Sequence, residues 1–306
     1  MKLFCKNPIY ISAAGYAVDC GHCRSCRKKR RSEWVTRMEH EGTTCNHKLL
    51  TCTLTYKDEY IPKNRSLSKV HLQLFFKRLR KRLSKYDYKP KFKYFACGEY
   101  GPSTLRPHYH VVFFGLDERH IDDIFITWGM CDSAHFKCKV PDSERGGVTE
   151  IYEYVCGYTI KKLGAHYNKK HYKETGRIPE FQLCSLGIGK QWCKEHEDEY
   201  KDTATLRKNG KECIIPRYYR KILGIVYKEH KKLQEFVTKK MNETVEHISR
   251  CFKDVKIRFV DGVTNLPNMI GNYCVNYAYP VRMQEMRIQC DKILENEFSC
   301  WRRKVD

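Results

Sequence analysis

At 306 residues, with 58 Lys and Arg against 36 Asp and Glu, the chain carries a formal charge of +22. So large a basic excess points to a polyanionic partner, nucleic acid first, and no apolar run approaches the roughly 18–20 residues of a membrane-spanning helix. Residues 1–11 lack the apolar core of a signal peptide, so the 17 cysteines are expected to stay reduced in a cytoplasm, as small buried groups or metal ligands rather than a disulfide framework.

Taken in order, residues 1–47 read as a small basic module. The cluster Cys20-Gly21-His22-Cys23-Arg24-Ser25-Cys26 leads through the basic run 27–31 into a helix that passes Trp34 and Met38. Cys20, Cys23 and Cys26 are close enough to share a Zn²⁺, with Cys5, His22, Cys45 or His47 as a fourth ligand, or else to remain reduced thiols. Residues 48–56 (KLLTCTLTY) place Thr at 51, 53 and 55, an alternation that suits a strand. Ser68 is an N-cap for a helix whose Leu72, Phe75, Phe76, Leu79 and Leu83 share one face. The opposite face is strongly positive, and its Arg78, Lys81 and Arg82 serve either as phosphate contacts or as a solvated surface.

Residues 93–99 and 107–115 read as two strands joined by a turn at Gly101-Pro102, an antiparallel pair. A short helix is expected over 117–128, a loop at 145–147, and a helix over 148–163 with Ile151, Val155 and Leu163 on its packed stripe. Beyond His166 the chain reads as polar and irregular until Pro216, then as helices around Phe236 and Val245. The expected division is a Cys-rich module over 1–47, a catalytic core over 48–182 and a mostly helical extension over 183–306.

The chemistry concentrates around His108-Tyr109-His110. Histidines two apart on a strand share a face, so both imidazoles can bind one metal ion while Tyr109 points away. Alone the triplet says little, since a chain this rich in histidine contains one by chance in about half of cases. Glu99, at the end of the preceding strand, adds a carboxylate, and two His with one Glu leave open positions from which a divalent ion can polarise a phosphate oxygen. Tyr154 and Tyr158 stand at helical i, i+4 spacing with Lys161 following, which offers hydroxyl nucleophiles and a cation on one face. The same spacing recurs at Tyr56, Tyr60 and Lys63, where Pro62 argues against a helix interior.

These segments, in this order, resemble the three motifs of HUH-type rolling-circle initiators. They are the Thr-rich strand 50–56, then Gly98-Glu99-Tyr100-Gly101 with Arg106-Pro107-His108-Tyr109-His110, then the tyrosine helix. The resemblance is greatest to the replication initiation proteins of microviruses of the gokushovirus type, and extends to the N-terminal Cys cluster, Gly187-Ile188-Gly189-Lys190 and residues 215–220. It implies an α+β fold in which an antiparallel β-sheet, an RRM-like core, is flanked by helices. It also implies Mg²⁺ or Mn²⁺ held by His108, His110 and Glu99, Tyr158 as principal nucleophile, Lys161 assisting and Tyr154 as a second tyrosine. The product is a tyrosine joined to the 5′ phosphate of a nicked origin, with host helicase and polymerase as partners in the bacterial cytoplasm. Gly187-Ile188-Gly189-Lys190 lacks the gap and the Ser or Thr of a phosphate loop. Two alternatives stay open: a non-enzymatic, zinc-stabilised nucleic-acid-binding regulator, and an HUH transposase or relaxase.

Overall fold

The computed structural model describes residues 9–11, 16–21, 23–101, 103–141, 147–161, 169–208, 210–237, 239–240 and 243. Arg27–Lys232 form one compact unit, which is described by itself. The elements are β1 (Ile9–Ile11), β2 (Tyr16–Val18), α1 (Arg24–Thr44), β3 (Leu49–Leu54), α2 (Lys69–Leu83), β4 (Lys93–Tyr100), β5 (Pro107–Phe114), α3 (Ile121–Trp128) and β6 (Lys137–Lys139). There follow α4 (Gly147–Lys161), α5 (Lys169–Thr175), β7 (Phe181–Cys184), α6 (Lys190–Glu195), α7 (Glu197–Thr203), β8 (Thr205–Lys208), β9 (Lys211–Ile214) and α8 (Arg217–Ile222).

The main sheet has five antiparallel strands in the order β6-β3-β5-β4-β7 and is flanked by helices, an α+β fold. Alternation along the strands sends successive side chains to opposite faces, and both faces are covered. On one, Leu50, Leu54, Ala96, Tyr109, Val111 and Phe113 pack against Leu72, Phe75, Phe76 and Leu79 of α2 and Ile124 and Trp128 of α3. On the other, Leu49, Phe95, Cys97, Val112 and Phe114 meet Val35 and Met38 of α1 and Tyr152, Val155 and Cys156 of α4. Ser68 caps α2 by accepting a hydrogen bond from the His71 backbone N–H, and all five apolar residues expected on its packed face are buried. After β5 the chain turns at Gly115, whose φ is +94° and where a Cβ would stand 2.7 Å from the Lys91 carbonyl oxygen. Only glycine fits that turn.

Two expectations are corrected. The stretch between His166 and Pro216 is not irregular: its described residues form α5, β7, α6, α7, β8 and β9, with a further core of Cys193, Tyr200, Leu206, Ile215 and Tyr219. Those elements run from four to seven residues, too short for apolar periodicity to declare itself. The cysteines are also not all reduced, because Cys52 and Cys138 form a disulfide. Register explains it: β3 and β6 place these two residues directly opposite each other, with Cα atoms 4.1 Å apart. The division drawn after residue 182 falls inside β7, which pairs with β4. Residues 244–306, which hold most of the expected helical extension, lie outside the described residues.

Candidate metal centre

The register between β4 and β5 builds the site. Glu99 lies directly opposite His108, and Cys97 opposite His110, so the Glu99 carboxylate and both imidazoles emerge on the face that carries α1 and α4. Glu99 Oε1 stands 2.9 Å from His108 Nε2 and 3.0 Å from His110 Nε2. Their backs are tied down. His108 Nδ1 donates to the Arg106 carbonyl oxygen at 3.1 Å, and His110 Nδ1 lies 3.2 Å from the Thr53 hydroxyl, across the β3–β5 register. A carbonyl can only accept, so His108 carries its proton on Nδ1, and in the neutral ring Nε2 then faces a carboxylate with a bare lone pair. Three lone-pair atoms converging in this way need a positive centre between them, either a shared proton or a metal ion.

All three ligand atoms lie within 4.8 Å of one another, and two imidazoles with one carboxylate form a set that a divalent cation accepts with positions to spare. The groups are largely enclosed, with Glu99 7% and His110 8% exposed. Burial pushes the Glu99 carboxyl upward, but the hydrogen bonds from His108 and His110 outweigh it and hold the group at about 2. It is a carboxylate at any physiological pH. Hydrogen bonding of each ligand's second nitrogen fixes ring orientation, an arrangement that ligating histidines commonly share.

Between the histidines, Tyr109 is fully buried on the other face of the sheet. Its hydroxyl donates to the Ser68 carbonyl at 3.1 Å, accepts from the Ser68 N–H at 2.8 Å and meets the Tyr56 hydroxyl at 2.8 Å. Burial raises the pKa of both phenols, so neither is placed to act as a nucleophile. Tyr60, in the second copy of the tyrosine pattern, sits in a short 3₁₀ turn over Asp58–Tyr60 and not on a helix.

Helix α4 carries the other tyrosines. The Tyr154 ring is 54% exposed and stands edge-on to His110, with centroids 5.5 Å apart. Tyr158 and Lys161 lie on α4, one and two turns further along, and their side chains fall outside the described residues. Arg31 of α1 holds α4 in place by donating to the Glu153 carbonyl oxygen at 2.9 Å and to its carboxylate at 3.0 Å.

The three α2 cations divide. Lys81 is exposed, whereas Arg78 donates to the Thr127 carbonyl at 3.3 Å and Arg82 forms an ion pair with the buried Asp123. Two of the three therefore join α2 to α3. In the N-terminal unit, the Cys20, Cys23 and Cys26 sulfurs lie within 4.8 Å of one another, and the Cys23 backbone N–H donates to Cys20 Sγ at 3.3 Å. Of the candidate fourth ligands, Cys5 and His22 lie outside the described residues. Sequence reasoning missed Thr53 and the Arg106 carbonyl as supports of the histidines. The alternating threonines of β3 held the signal for the first, since one face of that strand had to meet the HxH face of its neighbour.

Comparison with known proteins agrees with this architecture. The model of a family described as replication-associated protein ORF2 matches residues 49–163, from β3 through α4, the segment that carries the whole site. The chain is 28% identical to the Replication-associated protein VP4 of Bdellovibrio phage phiMH2K over 320 aligned positions, covering 99% of this chain and 94% of the relative. It is 30% identical to the Replication-associated protein ORF2 of Spiroplasma virus 4 over 217 positions, 66% of each chain. With the Replication-associated protein ORF4 of Chlamydia phage 1 it shares 24% over 70% of this chain and 55% of that one. No solved structure matches. The sheet with its His-Glu site thus falls in a class of replication-associated proteins, and the chain belongs to the microvirus-like members of that class.

Proposed function

We propose that this protein initiates rolling-circle replication by nicking one strand of a phage origin with a tyrosine hydroxyl, assisted by Mg²⁺ or Mn²⁺ at Glu99, His108 and His110. The observation that carries the reading is the convergence of Glu99 Oε1 with two backed imidazole nitrogens, a short distance from a tyrosine-bearing helix. A divalent ion held there would draw charge from the phosphate oxygens it contacts and so favour attack at phosphorus. The residues of the chain do the rest. Thr53 and the Arg106 carbonyl hold the imidazoles so that Nε2 faces inward, and α4 presents the nucleophile, Tyr158 as principal and Tyr154 as second.

The tyrosine oxygen bonds to phosphorus as the P–O3′ bond breaks. The phenolic proton leaves the nucleophile, the 3′ oxygen gains one, and the 5′ phosphate stays on the protein. Lys161, three residues past Tyr158, offsets charge on the phosphate. The released 3′ hydroxyl primes a host polymerase, a host helicase opens the duplex in the infected bacterium, and reversal of the step rejoins ends. Among the described residues no helix is long and apolar enough to cross a membrane.

Incubation with Mn²⁺ and origin-bearing single-stranded DNA tests the chemistry. A covalent adduct is expected on denaturing gels, absent in Tyr158→Phe and with chelator. An adduct that survives in Tyr158→Phe but not in Tyr154→Phe moves the nucleophile one turn back. Survival in both variants rejects tyrosine attack from α4.

We further propose that Cys20, Cys23 and Cys26 bind Zn²⁺. Thiolates on a tetrahedral ion at about 2.3 Å stand roughly 3.8 Å apart, and the Cys23–Cys26 and Cys20–Cys26 sulfurs are separated by 3.4 and 4.0 Å. Elemental analysis of protein purified without chelator should return one zinc per chain, and Cys23→Ser should lose it. Zinc-free wild-type protein rejects the site.

A further inference from the structure

A loop that the proposed nicking chemistry does not use is built with unusual care. After β7, Ser185 exchanges hydrogen bonds with Tyr94, its N–H donating to the Tyr94 carbonyl at 2.8 Å and its hydroxyl accepting from the Tyr94 N–H at 3.0 Å. Lys93 donates to the Gly187 carbonyl at 3.1 Å, Arg37 to the Ile188 carbonyl at 3.1 Å, and the Gly189 N–H to the buried Glu41 carboxylate at 2.8 Å. Gly187 and Gly189 both have φ of +73°, and a Cβ on Gly189 would collide with the Tyr219 hydroxyl oxygen. A loop pinned at nearly every residue nevertheless leaves Leu186 95% exposed.

Leu186 rims a cavity of about 630 Å³ whose lining includes Arg37, Lys93, Lys190, Lys194 and Tyr218, and among the described residues that line it none is acidic. That volume lies within the range of about 300–1,000 Å³ that small-ligand sites occupy. The Arg37 guanidinium is sandwiched between the Trp34 and Tyr218 rings, 4.0 and 3.9 Å from their centroids, which fixes a cation that would otherwise be mobile. Lys190 and Lys194 follow one turn apart on exposed positions of α6. Apolar and aromatic surface beside a fixed cation and two lysines is the combination that receives a base on one side and its phosphates on the other.

We propose that this cavity is a second contact for single-stranded DNA, separate from the metal centre; the proposal rests on the reading that the protein acts on DNA. Lys93 and Glu99 stand at opposite ends of β4, about 20 Å apart at roughly 3.3 Å per residue. A strand whose scissile phosphate lies at Glu99 and the histidines would place a nucleotide several positions away in the cavity. Leu186 packs under the base, while Lys190, Lys194 and Arg37 hold the backbone. The Gly187–Lys190 segment then serves DNA by holding a side chain out to solvent and its neighbours in place, not by wrapping a nucleotide triphosphate.

The test uses the full chain and a fluorescent single-stranded oligonucleotide of mixed sequence. Lys190→Gln with Lys194→Gln should weaken binding about tenfold at moderate salt, and lower the slope of log affinity against log salt by about 1.4, from two phosphate contacts at roughly 0.7 each. In parallel, a photoreactive p-benzoylphenylalanine in place of Leu186 should cross-link to the oligonucleotide, and on a nicked substrate the cross-link should map some nucleotides from the cut. Wild-type binding with an unchanged slope in the lysine variant and no cross-link overturns this inference alone. A cross-link between copies of the chain in place of DNA does the same and assigns the loop to self-association. Failure of the wild type to bind single strands overturns this inference together with the nicking function.

Discussion

The single residue that most sharpens the proposed metal centre is Thr53. Its hydroxyl reaches His110 Nδ1 from the neighbouring strand, so the ring is held from behind while Nε2 faces Glu99. Removing such a support typically weakens metal binding by about 10- to 100-fold. Thr53→Val should therefore raise the Mn²⁺ dissociation constant by that order in a calorimetric titration, and Thr53→Ser should restore it, whereas a purely packing role would leave Val nearly neutral.

His40 shows the same scale at work in stability. It stacks on Trp192 at 4.7 Å and meets the Tyr219 hydroxyl at 2.9 Å. Burial first, then the nearby His196 and Lys208, pull its pKa from 6.5 down to about 4. Between those two values the unfolded chain holds a proton on this residue that the folded chain does not, so stability falls as pH drops from about 6.5 toward 4. Above 6.5 the residue contributes no slope. Urea midpoints measured across this window should fall less steeply in His40→Gln than in the wild type.

At the scale of elements, charge on a helix has two uses that composition does not separate. Helix α2 looks uniformly basic on its outer face, yet Arg82 is spent on Asp123, whose other oxygen accepts from the Tyr86 hydroxyl at 2.8 Å. Arg82→Ala leaves that buried carboxylate short of a partner and should cost about 1–3 kcal/mol in denaturant unfolding. Lys81→Ala on the same exposed face should change stability by less than about 0.5 kcal/mol.

The elements themselves were legible where they were long. Helix α2 announced its cap and its packed stripe, and β4 and β5 announced their pairing, because eight to fifteen residues give periodicity room to repeat. The four-residue strand β7 did not, and its place at the sheet edge beside β4 is a long-range pairing that no local pattern encodes. The disulfide was hidden for the same reason, since Cys52 and Cys138 are 86 residues apart in the chain and meet only through strand register.

Considered as a whole molecule, the fold gathers in one place what the sequence scatters. Glu99 and His108 are nine positions apart and Thr53 is 57 from His110, yet two antiparallel pairings bring all four residues to one patch of one sheet face. The ligand types and their order could be read directly from the chain. Their supports could not, because a hydroxyl behind an imidazole is a property of two strands together.

The order of the sheet has a consequence for how copies of the protein can assemble. It ends on one side at β6, three residues with lysine at both ends, and on the other at β7, four residues that lead at once into the pinned loop at 185–189. Short, lysine-flanked margins are poor templates for another strand. Two molecules gathered on the same length of DNA are therefore discouraged from fusing their sheets into one ribbon, and crowding at an origin should bring them together through helices and loops, by contacts that can be undone.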